Sequence, residues 1–124
     1  MAWRGLLAAS LPAWLVGCDL VPLPLPHAHG PASQQALGRS LLAQYQCGSC
    51  HVIPSVEASR GIDGLPLAAF GRRSYIAGHV PNGPDTLAHW IVAPSSLVPG
   101  TTMPSMGVSQ RDARDMAAFL LTLE

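Results

Sequence analysis

The sequence predicts a small all-α domain of short helices joined by loops. Three observations carry that expectation. Two stretches, Gln34 to Gln46 and the run after Ser109, repeat apolar residues at three- and four-residue spacing. No stretch alternates polar and apolar residues long enough to suggest a sheet. Twelve prolines and twelve glycines among 124 residues break the chain too often for long regular elements. The length suits one domain. Seven arginines, no lysine and seven acids leave the chain neutral, which argues against nucleic acid as a partner, since phosphate binding wants a basic surface.

Residues 1–17 read as a targeting segment. Arg4 precedes an apolar run from Leu6 to Val16 that is too short to span a bilayer and ends in small residues. Leu15-Val16-Gly17-Cys18 resembles the bacterial lipobox, in which the cysteine thiol is lipidated and cleavage makes that cysteine the new N-terminus. An ordinary signal peptide would leave Cys18 without a role, and an uncleaved anchor is disfavoured by Pro12. Lipidation and acylation of Cys18 would give several acyl chains, and two or more hold a protein stably at a membrane. Asp19 resembles an inner-membrane retention signal. The expected location is therefore the periplasmic side of the bacterial inner membrane. The mature chain would carry six arginines against seven acids, or −1 with neutral histidines.

Residues 18–33 form the expected tether. Prolines at 22, 24, 26 and 31 favour an extended, polyproline-like path. About fifteen residues at roughly 3.1 Å each reach about 45 Å. His27 and His29 lie within it and read as solvated.

Residues 34–124 form the expected folded domain. In Gln34 to Gln46, Leu37, Leu41 and Tyr45 recur on one face with Leu42 beside them. Gly38 lies on that face and suggests close approach of another element. Residues 52–71 read as loop, Arg72 to His79 as one short helix, and Pro84 to Ala93 as a better one stopped by Pro94. Val98 to Gly107 is a loop punctuated by glycine and proline. Ser109 with Asp112 resembles a capping box that opens the last helix. There Ala113, Met116, Ala117 and Leu120 share a face, flanked by Phe119 and Leu123. The simplest packing sets this face against the first helix at Gly38 and Leu42.

The chemistry is concentrated in Cys47-Gly48-Ser49-Cys50-His51. Two cysteines separated by two residues and followed at once by histidine read as a c-type haem attachment site. The two-residue gap lets one turn of backbone present both thiols to neighbouring vinyl groups, and the histidine then lies under the iron. A zinc site would want a second ligand pair, and a redox dithiol would want a βαβ pattern. Neither is visible.

With this motif near its start, the loop Pro99-Gly100-Thr101-Thr102-Met103-Pro104 and a terminal amphipathic helix, the stretch from Gln34 to Glu124 resembles the class I cytochrome c family. It is most similar to the short bacterial domains that occur alone or fused to membrane respiratory complexes. The resemblance implies three to five short helices around one covalently bound haem c, with the first and last helices crossing. Cys47 and Cys50 would carry the thioethers, His51 would be the proximal iron ligand, and Met103 the distal one. Met106 is the alternative, and His79 and His89 are further rivals. The family also places a backbone carbonyl beside the ligand histidine. Here the matching stretch is Gly64-Leu65-Pro66-Leu67, with its proline one position late and Leu65 as the donor of the carbonyl. The Gly38-to-Cys47 spacing is one residue longer than in many relatives, which leaves the crossing residue open.

Arg72, Arg73, Tyr75 and Trp90 are candidate hydrogen-bond donors to the haem propionates or residues of the pocket. Leu67, Phe70, Ile76, Leu87 and Ile91 are candidate pocket walls. The implied function is single-electron transfer, not enzymatic catalysis. The carrier would work between redox partners in or at the membrane, such as a terminal oxidase or a dehydrogenase complex. Two alternatives stay open. One is a haem-based gas or peroxide sensor or catalyst with an open iron site, which requires that neither methionine be a ligand. The other is a docking subunit of a larger redox complex.

Overall fold

The computed structural model describes residues 30–124. The expected signal segment, Cys18, His27 and His29 lie outside the described residues. The elements run in the order α1 (Ala32–Gln44), β1 (Tyr75–Ile76), β2 (Val80–Pro81), α2 (Pro84–Val92), α3 (Pro94–Leu97) and α4 (Gln110–Leu120), with 3-10 turns at Cys47–Ser49 and Phe70–Arg72. None of the described helices is long and apolar enough to cross a membrane.

Helix α1 starts two residues before Gln34 and takes in Ala32 and Ser33 from the proline-rich stretch. Pro31 sits at its N-cap with φ −64°, and its carbonyl accepts from the amides of Gln34 and Gln35 at 2.9 and 3.2 Å. The helix ends at Gln44, and Gln46 adopts a left-handed conformation (φ 56°) that turns the chain into the cysteine motif. The buried stripe is Gly38, Leu41 and Leu42, while Leu37, expected on the apolar face, is 48% exposed.

Helix α4 opens where Ser109 Oγ accepts from the Asp112 amide at 3.1 Å. Ala113, Met116, Ala117 and Leu120 are buried, as their spacing requires. This face packs on α1 and α2. The α1–α4 crossing is set at Gly38, where an added Cβ would lie 1.9 Å from the Asp115 carbonyl oxygen. No side chain fits there, so the two backbones meet directly. Two polar bonds flank the crossing: Gln34 Nε2 donates to Asp115 Oδ1 at 2.9 Å, and Tyr45 Oη donates to Asp112 Oδ2 at 2.8 Å. The bond to the Asp112 carboxylate raises the Tyr45 phenol above its ordinary pKa.

Helix α2 begins with Pro84, where the missing N–H costs nothing. It buries Leu87, Ala88, Trp90 and Ile91. Pro94 ends α2 and also opens the one-turn α3.

The stretch from Arg72 to His79 is not a helix. It leaves the 3-10 turn at Phe70–Arg72 and forms a two-stranded antiparallel hairpin, with Tyr75 paired to Pro81 and Ile76 to Val80. Ala77 and Gly78 both take positive φ, 49° and 75°. Two successive left-handed residues cannot continue a right-handed helix. The His79 amide closes the turn onto the Ile76 carbonyl at 3.0 Å.

Candidate functional site

The cysteine motif folds as a single tight turn. The amides of Cys50 and His51 both donate to the Cys47 carbonyl, at 3.3 and 3.1 Å. This brings Cys47 and Cys50 onto one turn of backbone. Both thiols are unbridged and half-buried. Burial pushes the Cys47 thiol above its ordinary pKa, so it stays protonated at neutral pH.

A loop from Ser59 to Leu65 clasps this turn. The Gly48 carbonyl accepts from the amides of Arg60 and Gly61, at 3.1 and 3.0 Å, and the Cys50 carbonyl accepts from the Gly64 amide at 2.8 Å. Ser59 Oγ donates to the His51 carbonyl at 2.7 Å and accepts from the Ile53 amide. Gly61 rests on the backbone of Ser49 and Cys50, where a Cβ would come within 2.3 Å. The glycines here are steric requirements.

The same loop orients His51. Its Nδ1 lies 2.7 Å from the Leu65 carbonyl oxygen, as the sequence reading expected. A carbonyl only accepts, so Nδ1 carries the proton and Nε2 keeps its lone pair. Gly64 lies against the imidazole, where a Cβ would be 2.3 Å from Cε1 and 2.9 Å from Nε2.

His51 lines a cleft of about 300 Å³. Its walls include Cys50, Leu65, Leu67, Phe70, Ile76 and Trp90, and Met103 lies on the same cleft with Thr101, Thr102 and Pro104. The structure thus brings together residues from the motif, the clasping loop, the hairpin, α2 and the methionine loop. Cys47 packs at the core edge beside them.

Other sequence candidates lie elsewhere. Met106 is 45% exposed and does not line the cleft. Arg72 and Tyr75 are exposed and absent from its walls, as are His79 and His89. His89 Nε2 instead faces Ser96 Oγ at 3.0 Å. Arg73 lines the cleft, but its Nη2 donates to the carbonyls of Pro66 and Ala68 and its guanidinium lies over the Phe70 ring, 5.4 Å from the centroid. Its donors brace the loop. Leu87 and Ile91, expected as walls, belong to the core against α4.

The donor set fits a haem better than a bare ion. Among the described residues no group of three or more His, Cys, Asp or Glu is placed to hold a metal ion. A tetrahedral zinc would lack ligands here. A macrocycle brings four nitrogens of its own and would need only two donors from the protein, for which the cleft offers one imidazole and one thioether. Gly64 and the Leu65 carbonyl form a cradle for the imidazole that a Cβ would fill.

No family model matches the sequence, and no solved structure matches it. The chain is similar to cytochrome c oxidase subunit 2 of Alkalihalophilus pseudofirmus, at 31% identity over 88 residues. That stretch is 70% of this chain and 25% of the relative, so the chain spans about a quarter of that protein's length.

Gly64→Ala tests the cradle. The new methyl must displace a ring pinned at Leu65, and overpacking of this kind costs typically about 1–3 kcal/mol. Urea unfolding should show that loss, whereas Gly83→Ser, in open space, should leave the midpoint close to wild type. Equal midpoints for Gly64→Ala and wild type would contradict the cradle.

Proposed function

We propose that this chain is a mono-haem c-type cytochrome of the class I fold that carries single electrons. The observation that carries this reading is the shared cleft: His51 and Met103 both line it, beside the turn that bears Cys47 and Cys50. Cys47 and Cys50 hold the haem through thioethers. His51 offers Nε2 to the iron, because Nδ1 is committed to Leu65. That second bond fixes the ring and raises its basicity. Met103 offers a soft sulfur donor. When bound, the haem supplies a one-electron Fe(II)/Fe(III) couple, and a His/Met ligand set raises its potential. Leu67, Phe70, Ile76 and Trp90 exclude water, which disfavours the extra charge of the ferric state. Trp90 remains the candidate donor to a propionate, because Arg72 and Tyr75 do not line the cleft and Arg73 is committed to the loop. A methionine on the cleft wall favours this carrier over an open-site sensor or peroxide catalyst.

The similarity to an oxidase subunit supports a respiratory setting, with a terminal oxidase as the redox partner. It also favours a second reading, in which the chain is a docking subunit of such a complex. In either case Cys18 would anchor the chain on the periplasmic face of the inner membrane, and the tether would raise its local concentration near the partner. The intact mass of the protein from the membrane fraction should exceed that of the haem-bearing chain from Cys18 by its acyl groups. A mass without acyl groups would contradict the anchor.

The ligand reading is tested by the near-infrared methionine–iron band of the ferric protein. Met103→Ala should abolish it and Met106→Ala should keep it. The reverse pattern would exchange the two assignments, and a wild-type protein without the band would favour the open-site alternative.

A further inference from the structure

The loop that presents Met103 is almost free of backbone hydrogen bonds. Among the described residues, 102–108 neither donate nor accept any bond of that type. Pro99 and Pro104 have no amide hydrogen to give. Gly100 and Gly107 bracket the segment with φ of 84° and 70°, and an added Cβ at either would meet nothing within 4 Å. These are turn points with open space where a side chain would lie. Met103 itself donates its amide to Thr101 Oγ1 at 3.3 Å, a bond that stays within the loop. At its downstream end the segment is anchored by Val108, which is buried.

One hydrogen bond joins this segment to a part of the described chain distant in sequence. Ser105 Oγ donates to the Val92 carbonyl at 2.7 Å, across thirteen positions. Val92 is the last residue of α2, where the terminal carbonyls have lost their helical partners. The helical partner of the Val92 carbonyl would be the Ser96 amide, which donates to the Ala93 carbonyl at 3.1 Å instead. The Ser105 hydroxyl therefore caps a helix end and ties down a loop with the same bond. Helix α2 packs on α4 and contributes Trp90 to the cleft. The bond thus fixes the methionine loop to an element that already forms a wall of the site.

We infer that Ser105 is a positioning residue for Met103: through the Val92 carbonyl it holds the segment between Gly100 and Gly107 against the end of α2, and so keeps the thioether on the cleft. The inference rests on the reading of Met103 as an iron ligand. Without the bond, the segment swings on its two glycines, and a ligand from solution competes better for the iron. The effect is modest, because Ser105 is exposed and water competes for its hydroxyl.

Imidazole titration of the ferric, haem-loaded protein tests this, followed by loss of the methionine–iron band. Ser105→Ala should bind imidazole about threefold more tightly than wild type, within the range one net hydrogen bond supports. Ser105→Thr, which keeps the hydroxyl, should titrate like wild type. Thr122→Ala removes a hydroxyl bonded to the Phe119 carbonyl at the far end of α4, and should leave imidazole affinity unchanged even if it lowers the melting temperature. Equal affinities for Ser105→Ala and wild type, with the band present in both, would overturn the role of Ser105 alone. Absence of the band from the wild-type protein would instead remove the Met103 assignment, and this inference with it.

Discussion

Everything in the site hangs from the contact between Gly38 and the Asp115 carbonyl. At that point α1 and α4 touch backbone to backbone, with no room for a side chain. Close approach fixes both the distance and the rotation of α1, and therefore where its C-terminus delivers the chain. A short way beyond the crossing, Gln46 turns left-handed and Cys47 begins the motif. A shift of the crossing would be carried directly into the thiols and His51. The flanking bonds from Gln34 and Tyr45 to α4 act in the same direction, since each resists sliding of one helix along the other.

The two sides of the cleft are built by opposite means. On the His51 side the backbone is heavily committed. Gly61 and Gly64 admit close contact, Ser59 holds the residues after the motif, and the Leu65 carbonyl sets the tautomer. On the Met103 side the loop has few bonds, two glycine turn points and, among the described residues, a single long-range hydrogen bond at Ser105. On the proposed ligand set, a rigid imidazole and a loosely fastened thioether would make the methionine the exchangeable ligand. In a carrier of single electrons, fastening that loop keeps the ligand set the same in both oxidation states.

Much of this was legible in the sequence because it depends on local chemistry. The cysteine motif, the Ser109 cap, the buried face of α4 and the Leu65 carbonyl follow from residue types at short spacing. The misread parts depend on tertiary contact. Leu37 belongs by spacing to the apolar face of α1, but the Gly38 crossing rotates the helix and leaves it half exposed. The hairpin at 75–81 rests on a left-handed Ala77, and alanine gives no sign of that conformation. Arg73 reads as an anion partner, yet the carbonyls that occupy it come from a loop whose path spacing does not reveal. Leu87 and Ile91 are apolar and close to Trp90, but the packing of α2 on α4 sends them into the core. Ser59 and Ser105 carry no motif at all. Ser59 matters through a backbone carbonyl and an amide, and Ser105 through a carbonyl, that the fold brings near.

The central claim is that Cys47 and Cys50 hold one haem covalently. Its most direct test is the intact mass of the purified protein after acid–acetone extraction, compared with a Cys47→Ala/Cys50→Ala variant. The account predicts a wild-type mass equal to the processed, acylated polypeptide plus one haem, and a double variant that loses its haem to the solvent. A wild-type mass without haem, or haem extracted equally from both proteins, would contradict it.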